Sequence, residues 1–264
     1  MDRKTLLLLF LVVFVPSLLI RLHPTTSESF QYDAVISQMA AREGIVANAW
    51  DASGTYAMRR QHPPLLSYVI ELNNRGFGDD PFRARIFSIL FGSLTCLAVS
   101  IGIAALAPPS RIRLPAAVFG GWLVCLLPVH LYVSRTSNWD TVYGFFAVGS
   151  LVCMGRYLAR ESTRLLCAAA LFATLAFLTC ELGLFLLPAA GVLLLRDTTR
   201  LPAARVAARW AGMVLFMLVV IALLWPAGIF KLDLGRTLVF RWHDSWAAER
   251  NLPWYGFYTE LFRQ

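Results

Sequence analysis

The chain has 264 residues, of which 58% are hydrophobic and only 15% charged, and its mean hydropathy is +0.60. That balance excludes a soluble domain and implies an integral membrane protein packed as one helical bundle, with no room for a second soluble domain. The formal charge of +8 is not a nucleic-acid footprint, because Arg and Lys gather in short loops between apolar runs and form no basic stripe interleaved with aromatics.

Apolar runs at 6–22, 82–106, 114–133, 141–158, 165–179, 182–195 and 206–226 predict an all-α polytopic transmembrane bundle of about seven helices. The first run follows Asp2-Arg3-Lys4, as a signal peptide would, yet it continues into Arg21-Leu22-His23-Pro24 without a small-residue cleavage pattern. An uncleaved first span is therefore expected. The fifth and sixth runs are short and joined by almost nothing. A polar insert occupies 23–81 and a tail occupies 227–264. Cys96, Cys125, Cys153, Cys167 and Cys180 lie in or at the ends of apolar runs without metal-ligand spacing, and read as small buried hydrophobes.

Positive charge alternates from loop to loop. Arg3 and Lys4, Arg111 and Arg113, Arg156, Arg160 and Arg164, and Arg196, Arg200, Arg205 and Arg209 all fall on one side. Short basic loops stay cytoplasmic, so the insert, the 134–140 turn, the Cys180-Glu181 turn and the tail are expected outside. Within the insert, apolar residues at helical spacing predict amphipathic helices at 34–42 and 65–72, lying on the interface, with a polar loop at 48–54 between them.

The candidate chemistry sits on that outer side. Asp33 follows Tyr32 near the start of the first amphipathic helix, where it suits either a helix cap or a general base for an acceptor hydroxyl or amine. His62-Pro63-Pro64 starts the second amphipathic helix, and Arg59 and Arg60 just before it add two cations able to face a phosphate. Arg135 and Asp140 bracket the turn between the third and fourth spans, either as an ion pair or helix cap, or as a phosphate-binding cation and a carboxylate orienting a sugar or a cation. Glu181 separates two apolar runs, where a carboxylate is costly unless exposed or paired, so a cationic or metal partner is expected. Together with His243-Asp244 and Glu249 it offers ligands for a divalent metal. His130, inside the third span, reads as a hydrogen-bonded bundle residue.

The order of these features resembles the polytopic GT-C glycosyltransferases, in particular the branch of protein O-mannosyltransferases and lipid A aminoarabinose transferases. It is carried by Tyr32-Asp33 with Ala40-Ala41-Arg42, then His62-Pro63-Pro64-Leu65-Leu66, Arg83-Ala84-Arg85, Arg135 with Asp140, Ala176-Phe177-Leu178-Thr179, and Pro253-Trp254-Tyr255. The resemblance implies sugar transfer from a polyprenyl-phosphate donor to a protein, lipid or polysaccharide acceptor. It places the site on the periplasmic side of a bacterial inner or plasma membrane, with Asp33 catalytic and Asp140 contributing. Relatives commonly carry a second acid where this chain has Ala34, and many carry a lysine after the threonine where it reads Thr179-Cys180-Glu181. The cation for the donor phosphate is then expected from Arg59, Arg60, His62, Arg135 or a bound metal. Relatives usually continue beyond the Trp-Tyr segment, so an incomplete C-terminus is expected.

Two readings from other classes compete. A transporter or flippase of a lipid-linked or anionic substrate would use the same arginines along a path, but such proteins place ionisable groups and broken helices at mid-membrane, often with inverted repeats. Here the charges cluster at one face and no repeat is visible. A non-catalytic, truncated membrane partner is the third reading.

Overall fold

The structure is a computed structural model and describes residues 2–23, 41, 44, 49, 63–78, 83–136, 139–195 and 202–230. The amphipathic helix expected at 34–42, apart from Ala41, the loop at 48–54, apart from Ala49, and the tail beyond Phe230 lie outside the described residues. Among those described every regular element is helical and there is no β-strand.

Asp2 opens the first helix, α1 (Arg3–Leu22), its Oδ1 accepting from the Thr5 amide at 2.8 Å. That backbone hydrogen bond holds the exposed Asp2 carboxyl below its usual value. Residues Phe10–Phe14 widen into a π turn. Pro16 supplies the reason: it has no N–H to give, and its ring would crowd the carbonyl four residues back, a conflict that a wider turn relieves.

After α2 (Leu65–Phe77) come α3 (Ile86–Leu106), α4 (Arg113–Leu126) and α5 (Pro128–Val133). The third apolar run, expected as one helix over 114–133, is thus two. Pro128 breaks it, because the residue before a proline is pushed out of the helical region, and Leu127 is extended at φ −60°, ψ 119°. The bundle continues with α6 (Trp139–Arg160), α7 (Thr163–Thr179), a 3-10 turn at Glu181–Phe185, α8 (Leu186–Leu195), α9 (Ala203–Leu224) and α10 (Pro226–Phe230). Among the described residues four helices are long and apolar enough to cross a membrane: Arg3–Leu22, Ile86–Leu106, Trp139–Arg160 and Ala203–Leu224. Arg113–Leu126, Thr163–Thr179 and Glu181–Leu195 are shorter apolar helices. Their outer surfaces are greasy, with Phe119, Leu215 and Leu223 exposed, as a lipid-facing surface requires.

Small residues set the packing, since in lipid close van der Waals contact replaces the hydrophobic effect between helices. Ala169, Ala170, Ala173 and Ala176 of α7 are all buried, and Ser150 on α6 donates to the Ala169 carbonyl at 3.0 Å. A methyl on Gly102 would lie 2.6 Å from Val152 Cγ2, so α3 and α6 also meet closely. Four hydroxyls in the apolar helices are satisfied one turn back, Ser93 by Ile89, Thr95 by Phe91, Thr174 by Ala170 and Thr179 by Leu175, whereas the buried Ser100 Oγ finds no partner among the described residues.

These contacts fix direction. Leu9 packs with Ala104 and Ala117, whereas Arg21 at the other end of α1 reaches Ser134. The helices therefore alternate up and down. Arg3, Lys4, Arg111, Arg113, Arg156, Arg160, Arg164, Arg205 and Arg209 collect at one end, and α2, Arg135, Asp140 and Glu181 collect at the other.

Candidate active site

The end of the bundle that carries α2 is built on an amphipathic helix. Leu66 and Ile70 are buried against Phe87 of α3, Val142 and Phe146 of α6, and Ala176 of α7. Tyr68, on a neighbouring stripe, donates its hydroxyl to the Leu224 carbonyl of α9 at 2.8 Å. Burial pushes the Tyr68 phenol well above its ordinary value. The C-terminal end of α2 is tied down as well: Asn73 Nδ2 donates to the Arg83 carbonyl at 2.9 Å, and an Arg83 nitrogen donates to the Phe77 carbonyl at 3.1 Å. The second predicted amphipathic segment is thus a helix that roofs α3, α6 and α7.

Asp140 stands in the first turn of α6, where the helix dipole favours a carboxylate. Trp139 meets the Tyr143 ring edge-on one turn away. Glu181 opens the 3-10 turn that folds back on α7. That fold-back depends on Gly183, where a Cβ would stand 2.2 Å from the Phe177 nitrogen.

Arg135, one of the cations expected to face the donor phosphate, makes a contact within the bundle. Its Nη2 donates to the Ile20 carbonyl at 2.6 Å, capping the last turn of α1, where a cation meets the negative end of the helix dipole. Its Nε is enclosed with no hydrogen-bond partner among the described residues. Arg135 therefore joins α1 to the α5–α6 turn.

Two charged residues escaped the sequence reading. Arg21 is 2% exposed. Its guanidinium donates to Ser134 Oγ at 2.7 Å, Ser17 Oγ at 2.6 Å and the Ser17 carbonyl at 3.2 Å, and touches Cys125 Sγ at 3.4 Å and Cys96 Sγ at 3.7 Å. The signal was Ser17, one turn before it on the same helix face. Glu71 is 6% exposed, ion-paired through Oε1 to Arg75, while Oε2 is buried with no hydrogen-bond partner among the described residues. Its signal was a carboxylate directly after the core residue Ile70. Gly44, from the long insert, approaches Glu71: a Cβ there would lie 3.8 Å from Oε1.

His130 places Nε2 3.2 Å from the Gly92 carbonyl and 3.8 Å from Cys96 Sγ. The cysteines are less uniform than expected. Cys96, Cys125 and Cys180 are buried, but Cys167 is exposed, facing outward from α7, and Cys96 and Cys125 line the Arg21 guanidinium.

Asp33, Arg59, Arg60, His62 and His243 lie outside the described residues. Among the described residues no three His, Cys, Asp or Glu side chains gather closely enough to hold a metal ion.

The comparisons with known proteins agree with this architecture. The family described as dolichyl-phosphate-mannose-protein mannosyltransferase matches residues 61–225, a stretch that includes His62, Arg135, Asp140 and Glu181 and ends as α9 does. No curated protein and no solved structure matches the chain. With more than half of its length covered, an all-α bundle and helices of membrane-spanning length, the chain belongs to the dolichyl-phosphate-mannose-protein mannosyltransferase family of membrane glycosyltransferases.

Proposed function

We propose that this glycosyltransferase moves a sugar from a polyprenyl-phosphate donor to an acceptor at the outer face of the membrane, with inversion at the sugar and Asp33 as general base. The observation that carries the reading is the family match across 61–225, which implies a lipid-linked sugar donor and a membrane-level acceptor. The geometry is consistent with it. Asp140 and Glu181 stand at the end of the bundle covered by α2, opposite the arginine-rich end that the positive-inside rule assigns to the cytoplasm.

The chemistry asks for two things. The acceptor hydroxyl or amine attacks the anomeric carbon from the face opposite the phosphate, the bond from that carbon to the phosphate oxygen breaks, and the acceptor proton passes to the Asp33 carboxylate. Negative charge then grows on the departing lipid phosphate. Arg59, Arg60, His62 and Arg135 supply the positive charge that stabilises it. Asp140 orients the sugar.

Purified protein incubated with polyprenyl-phosphate sugars tests this directly. Asp33→Asn should lower transfer by about 10²–10⁴-fold, the usual contribution of a positioned base, with membrane insertion and thermal stability unchanged. Near wild-type transfer by this variant would sink the assignment of the base.

A further inference from the structure

The arginine-rich end of the bundle holds a cavity of its own. It encloses about 100 Å³ and is lined by Ala104 and Ala105 from the last turn of α3, Arg113 from the first turn of α4, and Arg156, Ala159 and Arg160 from the last turns of α6. Close packing creates it. A Cβ on Gly102 would press on Val152, and one on Gly155 would press on Leu106 at 2.9 Å, so α3 and α6 meet near their ends and bring the arginines of α6 over the methyls of α3.

Three guanidinium groups, always charged, thus share one small concavity with no acid in its lining. The nearby carboxylates do not neutralise it. Glu161 directly follows Arg160 but is exposed and does not line the cavity, and Asp2 caps α1. The first turn of α4 adds to the excess: it has no acidic residue, its N-cap Ile112 offers no side-chain hydrogen bond, and Arg113 puts a cation at the positive end of the helix dipole. An anion seated there would relieve both.

We propose that this cavity binds the phosphate of an anionic membrane lipid headgroup. Its position favours a lipid over a free ion, because it lies where three helices of an apolar bundle begin or end. The rim is apolar: Leu106 is 46% exposed and Ile112 73%, offering acyl chains a surface beside the charged pocket. Basic pockets between transmembrane helices recognise acidic headgroups by this combination. The site is separate from the candidate active site, at the opposite end of the bundle, and does not depend on the proposed transfer reaction.

The test uses the full-length protein in a neutral detergent, with lipid binding read by native mass spectrometry and not by activity. Phosphatidylglycerol is titrated against phosphatidylcholine, and inorganic phosphate is titrated separately. Phosphatidylglycerol should be retained in preference to phosphatidylcholine, and inorganic phosphate at the same concentration should not displace it. Arg160→Gln alters an exposed side chain and should weaken phosphatidylglycerol binding by about five-fold, the usual worth of one arginine at a membrane surface; Arg113→Gln combined with it should weaken binding further. Equal retention of both lipids, unchanged binding in the variants, or displacement by inorganic phosphate would each overturn the headgroup assignment.

Discussion

Arg21 donates to Ser134 Oγ at 2.7 Å across 113 positions of sequence, and Gly92 makes that contact possible. A Cβ at position 92 would stand 2.4 Å from Ser134 Cβ and 3.1 Å from Arg21 Nε. Four helices, α1, α3, α4 and the end of α5, therefore meet around one buried guanidinium whose described partners are hydroxyls, a carbonyl and thiols. Such a group is costly to bury, and it is tolerated because nearly every nitrogen finds an acceptor.

Gly92→Ala should therefore destabilise the bundle by about 1–3 kcal/mol, the range for overpacking a tight contact. Thermal unfolding in detergent measures it. A variant that melts with the wild type would show that α3 and α5 approach less closely than the Gly92–Ser134 contact requires.

Gly183 makes a harsher demand, because the atoms a methyl would meet are backbone: the Phe177 nitrogen at 2.2 Å and the Ala176 carbonyl carbon at 2.5 Å. No rotamer can relieve that. Gly183→Ala should cost about 3 kcal/mol, the upper end of the overpacking range, and displace the turn that carries Glu181. Gly212, inside α9 with nothing within 4 Å of its would-be Cβ, is the control. There alanine should stabilise by up to about 1 kcal/mol through helix propensity, and equal effects at the two positions would refute the packing of the turn on α7.

Where helices lie was legible from hydropathy, because every apolar run corresponds to at least one helix. Where they break was legible in chemistry that the run averages hide. Pro128 splits the third run, Pro16 opens a π turn in the first, and Trp225-Pro226 ends the seventh at Leu224. Buried charge was the least legible. Arg21 reads as a flanking arginine, and only its phase with Ser17 marks it as internal; Glu71 reads as the polar face of α2, yet it is buried, with Gly44 of the long insert beside it. Sequence periodicity places a residue on a helix face, whereas the partner across that face comes from a helix more than a hundred positions away, as Ser134 does for Arg21.

Tyr68 links the roof helix α2 to the end of α9 through the Leu224 carbonyl, one of the terminal carbonyls that α9 itself leaves unpaired. Tyr68→Phe should cost about 1 kcal/mol, the net worth of one buried hydrogen bond. The pH dependence has a definite sign. Burial raises the folded phenol above its ordinary 10.0, so its contribution is fully present below pH 10.0 and declines as pH rises from there toward the folded value. The stability difference between wild type and Tyr68→Phe should shrink above pH 10.0 in thermal melts. A constant difference would mean that the phenol is not held in its neutral form by burial.

Glu71 and Arg75 form a lopsided pair, with the carboxylate side chain 8% exposed and the guanidinium side chain 71% exposed. The exposed partner is cheap to rearrange, but the buried one is not, and its Oε2 has no hydrogen-bond partner among the described residues. Removing the cation leaves a buried charge with less compensation, whereas neutralising the acid removes the charge itself. Arg75→Ala should thus cost about 1–2 kcal/mol, less than a fully buried pair because Arg75 is largely solvated, and Glu71→Gln should cost less than Arg75→Ala or nothing. Melting both variants in the same detergent gives the order. If Glu71→Gln proves the more damaging, the carboxylate must be held charged by a contact beyond Arg75, on the side where Gly44 brings the long insert against it.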